Sequence, residues 1–419
     1  MKTALVRSAL VAVLVLALAW PLAPRAEAQS GVIKLGGLTT LEGPFAGPGV
    51  DTFRGMQMAL EEANYTVAGK KIEWIKYSSD ARPDTAVARA SKAIEHDGVD
   101  ILVGPLSGSE GLALKEYAKL HPKKTFVNGT SAAQDTTLRD PAPNFFRFST
   151  DGAQWQAGLG SYAYDVKRFR KVALVGEDYS FPYSQAMGFM TEFCRKGGRV
   201  TQKSWVPLGA KDFSSVIAGF PTDIDAIYAI LGASAAINFF TQYEQVGGKL
   251  PVIGGSITYD QTVLATKGPF QARMIGGITA GPIADAAEEP AWQEFVRAYQ
   301  KRFPDGLPSP SLFAHAYYIA TRAVLLALEK IGGDLADGQQ KLQATLAKLE
   351  FETPTGPVRL DENRQAIANI YVTEVAKRAD GTLYNKVVKV AQGVKQTIGI
   401  PRAEFLAMGP ATRDNPSCP

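Results

Sequence analysis

Short apolar runs that break at glycine, proline or serine and give way to helical patterns recur along this chain, and that alternation limits its fold more than any other feature. Val32 to Leu38 reads as a buried strand, followed by the loop TTLEGPFAGPGV and a helix from about Asp51 to Asn64. Phe53, Met56, Ala59, Leu60 and Ala63 fall on one face of that helix. Ile72 to Tyr77 and a helix from Pro83 to His96 repeat the unit, with proline in the first turn. In VDILVGPLSGSEG the strand Ile101 to Val103 breaks at Gly104-Pro105, and Ser107-Gly108-Ser109 opens a helix that stops before Pro122. Thr125 to Val127 then ends in NGTSAAQDTT, a second loop of small hydroxylated residues. Hairpin signals are missing between these runs. Such alternation builds a parallel sheet covered on both faces, with ligands bound beyond the carboxyl ends of the strands.

After Phe145-Phe146-Arg147-Phe148 the pattern restarts. Val172 to Val175 is a strand, GEDYSFPYSQ a loop, and Ser184 to Lys196 a helix. Val200 to Val206 and Ala226 to Leu231 are strands; Gly232-Ala233-Ser234 opens a helix, and Pro251 to Ile253 leads into GGSITYD. Two like-built lobes fit a chain of 419 residues, which is too long for one compact core. From Gly276 the character changes. Helices at Ala291 to Phe303, Ser311 to Ile331 and Gln339 to Leu349 are followed by strands at Thr353 to Leu360, Ala368 to Val375 and Tyr384 to Val390. We expect this part to return to lobe one and then to lobe two. Arg402 to Pro419 lacks periodicity and reads as a flexible tail.

The start of the chain reads as an export signal over residues 1–28. Lys2 and Arg7 precede an apolar run from Ala9 to Trp20, and Ala26-Glu27-Ala28 offers a cleavage site before Gln29. The mature protein is then expected in the periplasm. A net charge of +4 without a basic run argues against a nucleic-acid partner. Cys194 and Cys418 make no disulfide framework; a bond between them is open, though it would tie a helix to a loose end. No metal is expected, since neither CxxC nor histidines at ligand spacing occur. No cofactor motif appears either. His96, His121 and His315 read as structural, and Arg147 as a residue of the lobe junction.

With an export signal, two α/β lobes and a returning C-terminal part, the chain resembles the periplasmic substrate-binding proteins of ABC importers, in the leucine/isoleucine/valine-binding group. The likeness runs from Val32 to about Ile398. Its marks are GPFAGPG followed by GMQMALEEAN, ILVGPLSGS, NGTSAA, FFRFSTD and VALVGEDYSFPYSQA, in that order. The resemblance implies the type I periplasmic-binding fold: two Rossmann-like lobes with parallel central sheets, joined by three crossovers near Phe148, Thr279 and Leu360. Lobe one would comprise 29–147 and 279–355, lobe two 148–278 and 356–400, with 401–419 as the tail. It further implies a monomer that closes over one small ligand and presents it to permease subunits in the inner membrane.

The family's first-lobe loops hold a ligand carboxylate through hydroxyls and backbone amides. The matching positions are Ser107, Gly108 and Ser109, and Thr130, Ser131 and Ala132 after Asn128. Hydroxyls at a helix start cap it, and the same unpaired amides seat an anion. The second lobe departs from the pattern. The acid that pairs with a ligand ammonium is missing from Gly254-Gly255-Ser256-Ile257-Thr258, and the aromatic after Leu231 is replaced by Gly232-Ala233. An unpaired ammonium between closed lobes would cost several kcal/mol. Phe45, Tyr179, Phe181 and Tyr183 could line an apolar slot, with Ala233 leaving room, and Ser256 and Tyr259 are further candidate contacts. The expected ligand is therefore a carboxylate with an apolar or aromatic body rather than an α-amino acid. Branched-chain amino-acid binding and a sensor feeding a membrane kinase are the alternatives. A hydrolase would need a nucleophile with a base in reach, and no such arrangement stands out.

Overall fold

The computed structural model describes residues 31–418; the export signal expected over 1–28 and the start at Gln29 lie outside the described residues. The first sheet contains β1 (Val32–Thr40), β2 (Thr66–Val67), β3 (Lys70–Ser79), β4 (Ile101–Val103), β5 (Thr125–Val127) and β6 (Phe145–Phe146), in the order β2-β3-β1-β4-β5-β6. β1 pairs in parallel with β3 and β4, and Leu35 lies between Trp74 and Ile101. β4 and β5 are only three residues long and wholly buried, as central strands covered on both faces should be.

The second sheet contains β7 (Lys171–Glu177), β8 (Arg199–Val206), β9 (Ala226–Ile230), β10 (Val252–Gly254), β11 (Ile278–Gly281), β12 (Glu350–Thr353), β13 (Gly356–Leu360), β14 (Ala366–Lys377) and β15 (Leu383–Val394). β8-β7-β9-β10-β11 are parallel. The returning strands correct the expectation of purely parallel sheets. β14 runs antiparallel to β11 and to β15, which it meets through a short turn that no parallel pair could use. The single strand expected over Thr353 to Leu360 is instead the β12–β13 hairpin.

The helices are α1 (Ala46–Glu62), α2 (Pro83–Ser91), α3 (Gly108–Leu120), α4 (Leu159–Asp165), α5 (Ser180–Arg195), α6 (Ser214–Ala218), α7 (Ala233–Gln245), α8 (Gln261–Leu264), α9 (Pro290–Arg302), α10 (Leu312–Lys330), α11 (Gln340–Ala347) and α12 (Arg402–Ala407). α1 begins five residues before the expected Asp51, because Pro48 fits the first turn of a helix. Gly49 is required there: a Cβ would lie 1.7 Å from the Thr40 carbonyl oxygen. α10 packs with α1 on the first sheet, where Met56 and Leu60 share a buried cluster with Ala320 and Val324. None of the described helices is long and apolar enough to cross a membrane.

Arg147 is fully buried at the junction of the two sheets. Its guanidinium donates to the Ala133 carbonyl at 2.7 Å, to Thr137 Oγ1 at 2.6 Å and to Gln365 Oε1, with Asp151 at 3.6 Å. Burial pulls its pKa down to about 10 and pushes that of Asp151 up, while their mutual charge opposes both shifts. The tail expected to be flexible is instead docked, and the pairing that the sequence left open is made. Cys194 and Cys418 form a disulfide with their Cα atoms 5.4 Å apart, and the tail carries α12. Phe405 buries against Leu138 and Met187, and Arg413 pairs with Asp178. A tail with one buried aromatic and four charged residues shows little periodicity, so its docking was not readable from pattern alone.

Candidate functional site

The two lobes are closed on each other over the carboxyl ends of their strands. Ser109 Oγ on α3 meets Ser180 Oγ on α5 at 3.1 Å, the Gly152 amide donates to the Ala132 carbonyl at 2.8 Å, and the Gln134 amide donates to Ser184 Oγ at 3.0 Å. A Cβ on Gly108 would lie 3.0 Å from the Phe181 Cβ, so glycine allows the N-termini of α3 and α5 to approach. Both helices direct unpaired amides and the positive ends of their dipoles toward this seam.

Between the closed lobes lies a small cavity of about 20 Å³, lined by Phe45, Leu106, Ser107, Gly108, Thr130, Ala132, Trp155, Tyr179, Phe181, Ile257 and Phe313. Five of these eleven residues are aromatic. Ring centroids lie 6.3 Å apart for Phe45–Tyr179, 6.0 Å for Tyr179–Phe181 and 5.7 Å for Trp155–Phe181. Two of the lining residues carry buried polar atoms: Trp155 Nε1 has no hydrogen-bond partner among the described residues, and Ser107 shares a reciprocal capping box with Glu110 at the start of α3. Leaving a buried polar group unpaired costs roughly 1–3 kcal/mol, so an unpartnered atom on a cavity wall suits an incoming ligand. The Tyr179 phenol is held neutral, its pKa raised by burial and by the carboxylates of Glu177 and Glu110.

Of the residues singled out by sequence, Phe45, Ser107, Gly108, Thr130, Ala132, Tyr179 and Phe181 lie on this cavity, and seven others lie beside or behind it. Ser109 bridges the lobes. Asn128 braces its own loop, donating to the Ser131 carbonyl at 3.0 Å and to Ser149 Oγ at 3.1 Å. Ser131 packs on α3, where a Cβ on Gly111 would come within 1.8 Å of its Oγ. Tyr183 faces outward, with its ring 4.9 Å from Trp205 and its hydroxyl on Asp178. Tyr259 is core, donating to the Val252 carbonyl at 3.2 Å beside Phe240. Ser256 is held by Gln185, which donates to its Oγ at 2.7 Å. The space expected beside Ala233 is filled by Ile257, whose Cδ1 would be 2.2 Å from a Cβ on Gly232.

Sequence reasoning passed over Leu106, Trp155, Ile257 and Phe313. Leu106 lies inside the loop already singled out, and Trp155 follows the lobe junction in a stretch without periodicity. Phe313 sits in the first turn of α10, where it reads as core. Nothing in the sequence marks Ile257.

Carboxylates stand near the cavity but not on it. None of its eleven lining residues is acidic. Glu110 accepts from the Ser107 amide at 2.9 Å, and Glu177 from the amides of Gly209 and Gly232 at 2.8 and 3.2 Å. Burial pushes both up to about 7. A separate small polar cavity of about 10 Å³ is lined by Asp260 and Asp285 among others. Asp260 accepts from the Leu312 and Thr262 amides at 2.9 and 3.0 Å, and Asp285 from the Asn385 amide at 2.8 Å and Gln261 Nε2 at 2.7 Å. Burial raises Asp260 to about 7 and Asp285 upward as well. Each is already engaged by donors, and neither lines the interlobe cavity. Among the described residues, no group of three or more His, Cys, Asp or Glu is arranged to hold a metal ion.

The family model described as "Periplasmic binding protein" matches residues 32–382. A curated relative, Leu/Ile/Val-binding protein homolog 6 of Brucella suis biovar 1, is 26% identical over 368 residues, covering 86% of this chain and 92% of that protein. A solute-binding protein of an ABC transporter from Rhodopseudomonas palustris BisB5, solved with 3,4-dihydroxybenzoic acid, is 29% identical with a TM-score of 0.80 and covers 87% of this chain and 98% of its own. A leucine-binding protein from Thermotoga maritima, 21% identical with a TM-score of 0.75, covers 86% of this chain and 99% of its own and shares the fold.

Proposed function

Because this chain belongs to the periplasmic binding protein family, we propose that it is the extracytoplasmic solute-binding component of an ABC importer, and that its ligand is an aromatic or other non-amino organic acid. The observation that carries the reading is the interlobe cavity, lined in part by five aromatic residues, free of carboxylates and headed by the start of α3. In this reading the ligand acid group lies against the Ser107 hydroxyl and the first amides of α3, near Thr130, while Phe45, Tyr179, Phe181 and Phe313 enclose its body. The dipole end and unpaired amides favour an anion there.

Lobe closure gives affinity by excluding water, and the difference between open and closed forms is what permease subunits of the inner membrane would read. The basic and apolar pattern of residues 1–28 supports export to the periplasm, with the protein acting as a monomer. The aromatic-acid complex of the Rhodopseudomonas palustris protein is consistent with this ligand class. Amino-acid binding is the second reading, favoured by the names of the Brucella relatives. A thermal-shift screen of the mature protein separates the two. Benzoate- and cinnamate-type acids should raise Tm while leucine, isoleucine and valine should not; the reverse pattern overturns the ligand assignment.

A further inference from the structure

Trp155 offers the cavity a kind of polarity that the acid-binding end does not use. It sits in the 3-10 turn Gln154–Gln156, on the second-lobe side of the junction, 1% exposed. Its neighbours in sequence fix the turn from three directions. Gln154 Nε2 donates to the carbonyls of Ala366 and Val394 at 2.9 and 2.8 Å, and Gln156 Nε2 donates to the Ala280 carbonyl at 3.2 Å. The Trp155 amide is itself bonded to the Asp151 carbonyl at 2.9 Å. Three strands of the second sheet thus hold the indole in place, and its ring lies edge-on to Phe181 at 5.7 Å. A group held this way is positioned before a ligand arrives.

The indole Nε1–H is a donor only. It is buried and unpartnered, as are those of Trp74 and Trp292, but of these three only Trp155 lines the interlobe cavity. Ser107, on the opposite lobe, already belongs to the acid-binding end. From this placement we infer that Trp155 determines specificity by donating to an oxygen substituent on the ligand ring, so that the protein prefers hydroxylated or alkoxylated aromatic acids over the unsubstituted acid. The inference rests on the reading of this cavity as the ligand site. A site that donates a hydrogen bond to a substituent discriminates against the analogue lacking it, because the donor is then left unpaired.

Titration calorimetry with benzoate, 3-hydroxybenzoate and 4-hydroxybenzoate tests this on the mature wild-type protein and on Trp155→Phe. The wild type should bind at least one hydroxybenzoate about tenfold more tightly than benzoate, equivalent to one donated hydrogen bond. Trp155→Phe should reduce that ratio to about twofold or less, whatever the packing change does to the affinity for benzoate itself. Should Trp155→Phe fail to fold, the indole N–H resonances of the wild type give the same answer: one should shift with hydroxybenzoate and not with benzoate. An unchanged ratio, an equal loss for all three acids, or no indole response overturns the inference while leaving the ligand class standing. If none of the three acids binds the wild type, the parent reading fails and the inference with it.

Discussion

The loops that follow β4 and β7 occupy equivalent places in the two lobes, yet their chemistry is opposite. Gly104 to Ser109 is built of small and hydroxylated residues before α3, whereas Asp178 to Phe181 brings two aromatic rings to the start of α5. Behind each loop is a buried glutamate that accepts backbone amides: Glu110 from Ser107, Glu177 from Gly209 and Gly232. The supporting frame is thus repeated while the surfaces differ. One lobe presents hydroxyl and amide donors, and the other presents apolar rings. Duplicating an architecture does not duplicate its chemistry, because strand ends fix where a loop sits but not which side chains it shows.

The strongest way to break this comparison is to keep the lobes from meeting. Gly108→Val places branched carbon where even a Cβ is 3.0 Å from Phe181. Ligand affinity should fall about 100-fold, or about 2.8 kcal/mol, in calorimetry, with Tm of the unliganded protein little changed; unchanged affinity would mean that α3 and α5 need not approach. Cys418→Ser should cost about 2 kcal/mol of stability in denaturant unfolding and leave affinity within about twofold. A large loss of affinity there would make the tail part of the binding machinery.

The buried glutamates sharpen the likeness between the lobes. Folded pKa values of about 7 lie above the usual 4.5, so the folded state binds more protons than the unfolded one between those values. Their contribution is full at pH 4.5 and below, and is lost as pH rises through 7. Tm should therefore climb between pH 7.5 and 5.5, and Glu110→Gln with Glu177→Gln should flatten that rise; a slope unchanged in the double variant refutes the assignment. The smallest effect concerns one hydroxyl. Ser107→Ala should weaken acid binding about fivefold, or about 1 kcal/mol, whereas Ser109→Ala, which removes only the bridge to Ser180, should weaken it less.

The alternation of strand and helix was legible because apolar periodicity records which face of each element is buried, and α10 from Leu312 to Lys330 lies almost where its pattern placed it. The start of α3 was equally legible, since capping chemistry is local and Ser107 and Gly108 announce it. Long-range features left weaker traces. Tyr259 and Phe181 are both aromatics in strand-end loops, yet one is core and the other lines the cavity, a difference made by β10 and α5 and not by their neighbours in sequence. The disulfide joins residues 224 apart, a proximity that no local pattern encodes.

By itself, then, the sequence determined two α/β lobes, the strand ends at which a site could form, and the hydroxyl and amide chemistry of the first lobe, all consequences of short-range patterning. Tertiary structure alone decided that Trp155, Ile257 and Phe313 share a cavity with Phe45, that Tyr183 and Tyr259 do not, and that the tail is bonded to α5. Those outcomes depend on how distant elements pack, because a side chain's burial and partners are set by whatever surface arrives opposite it.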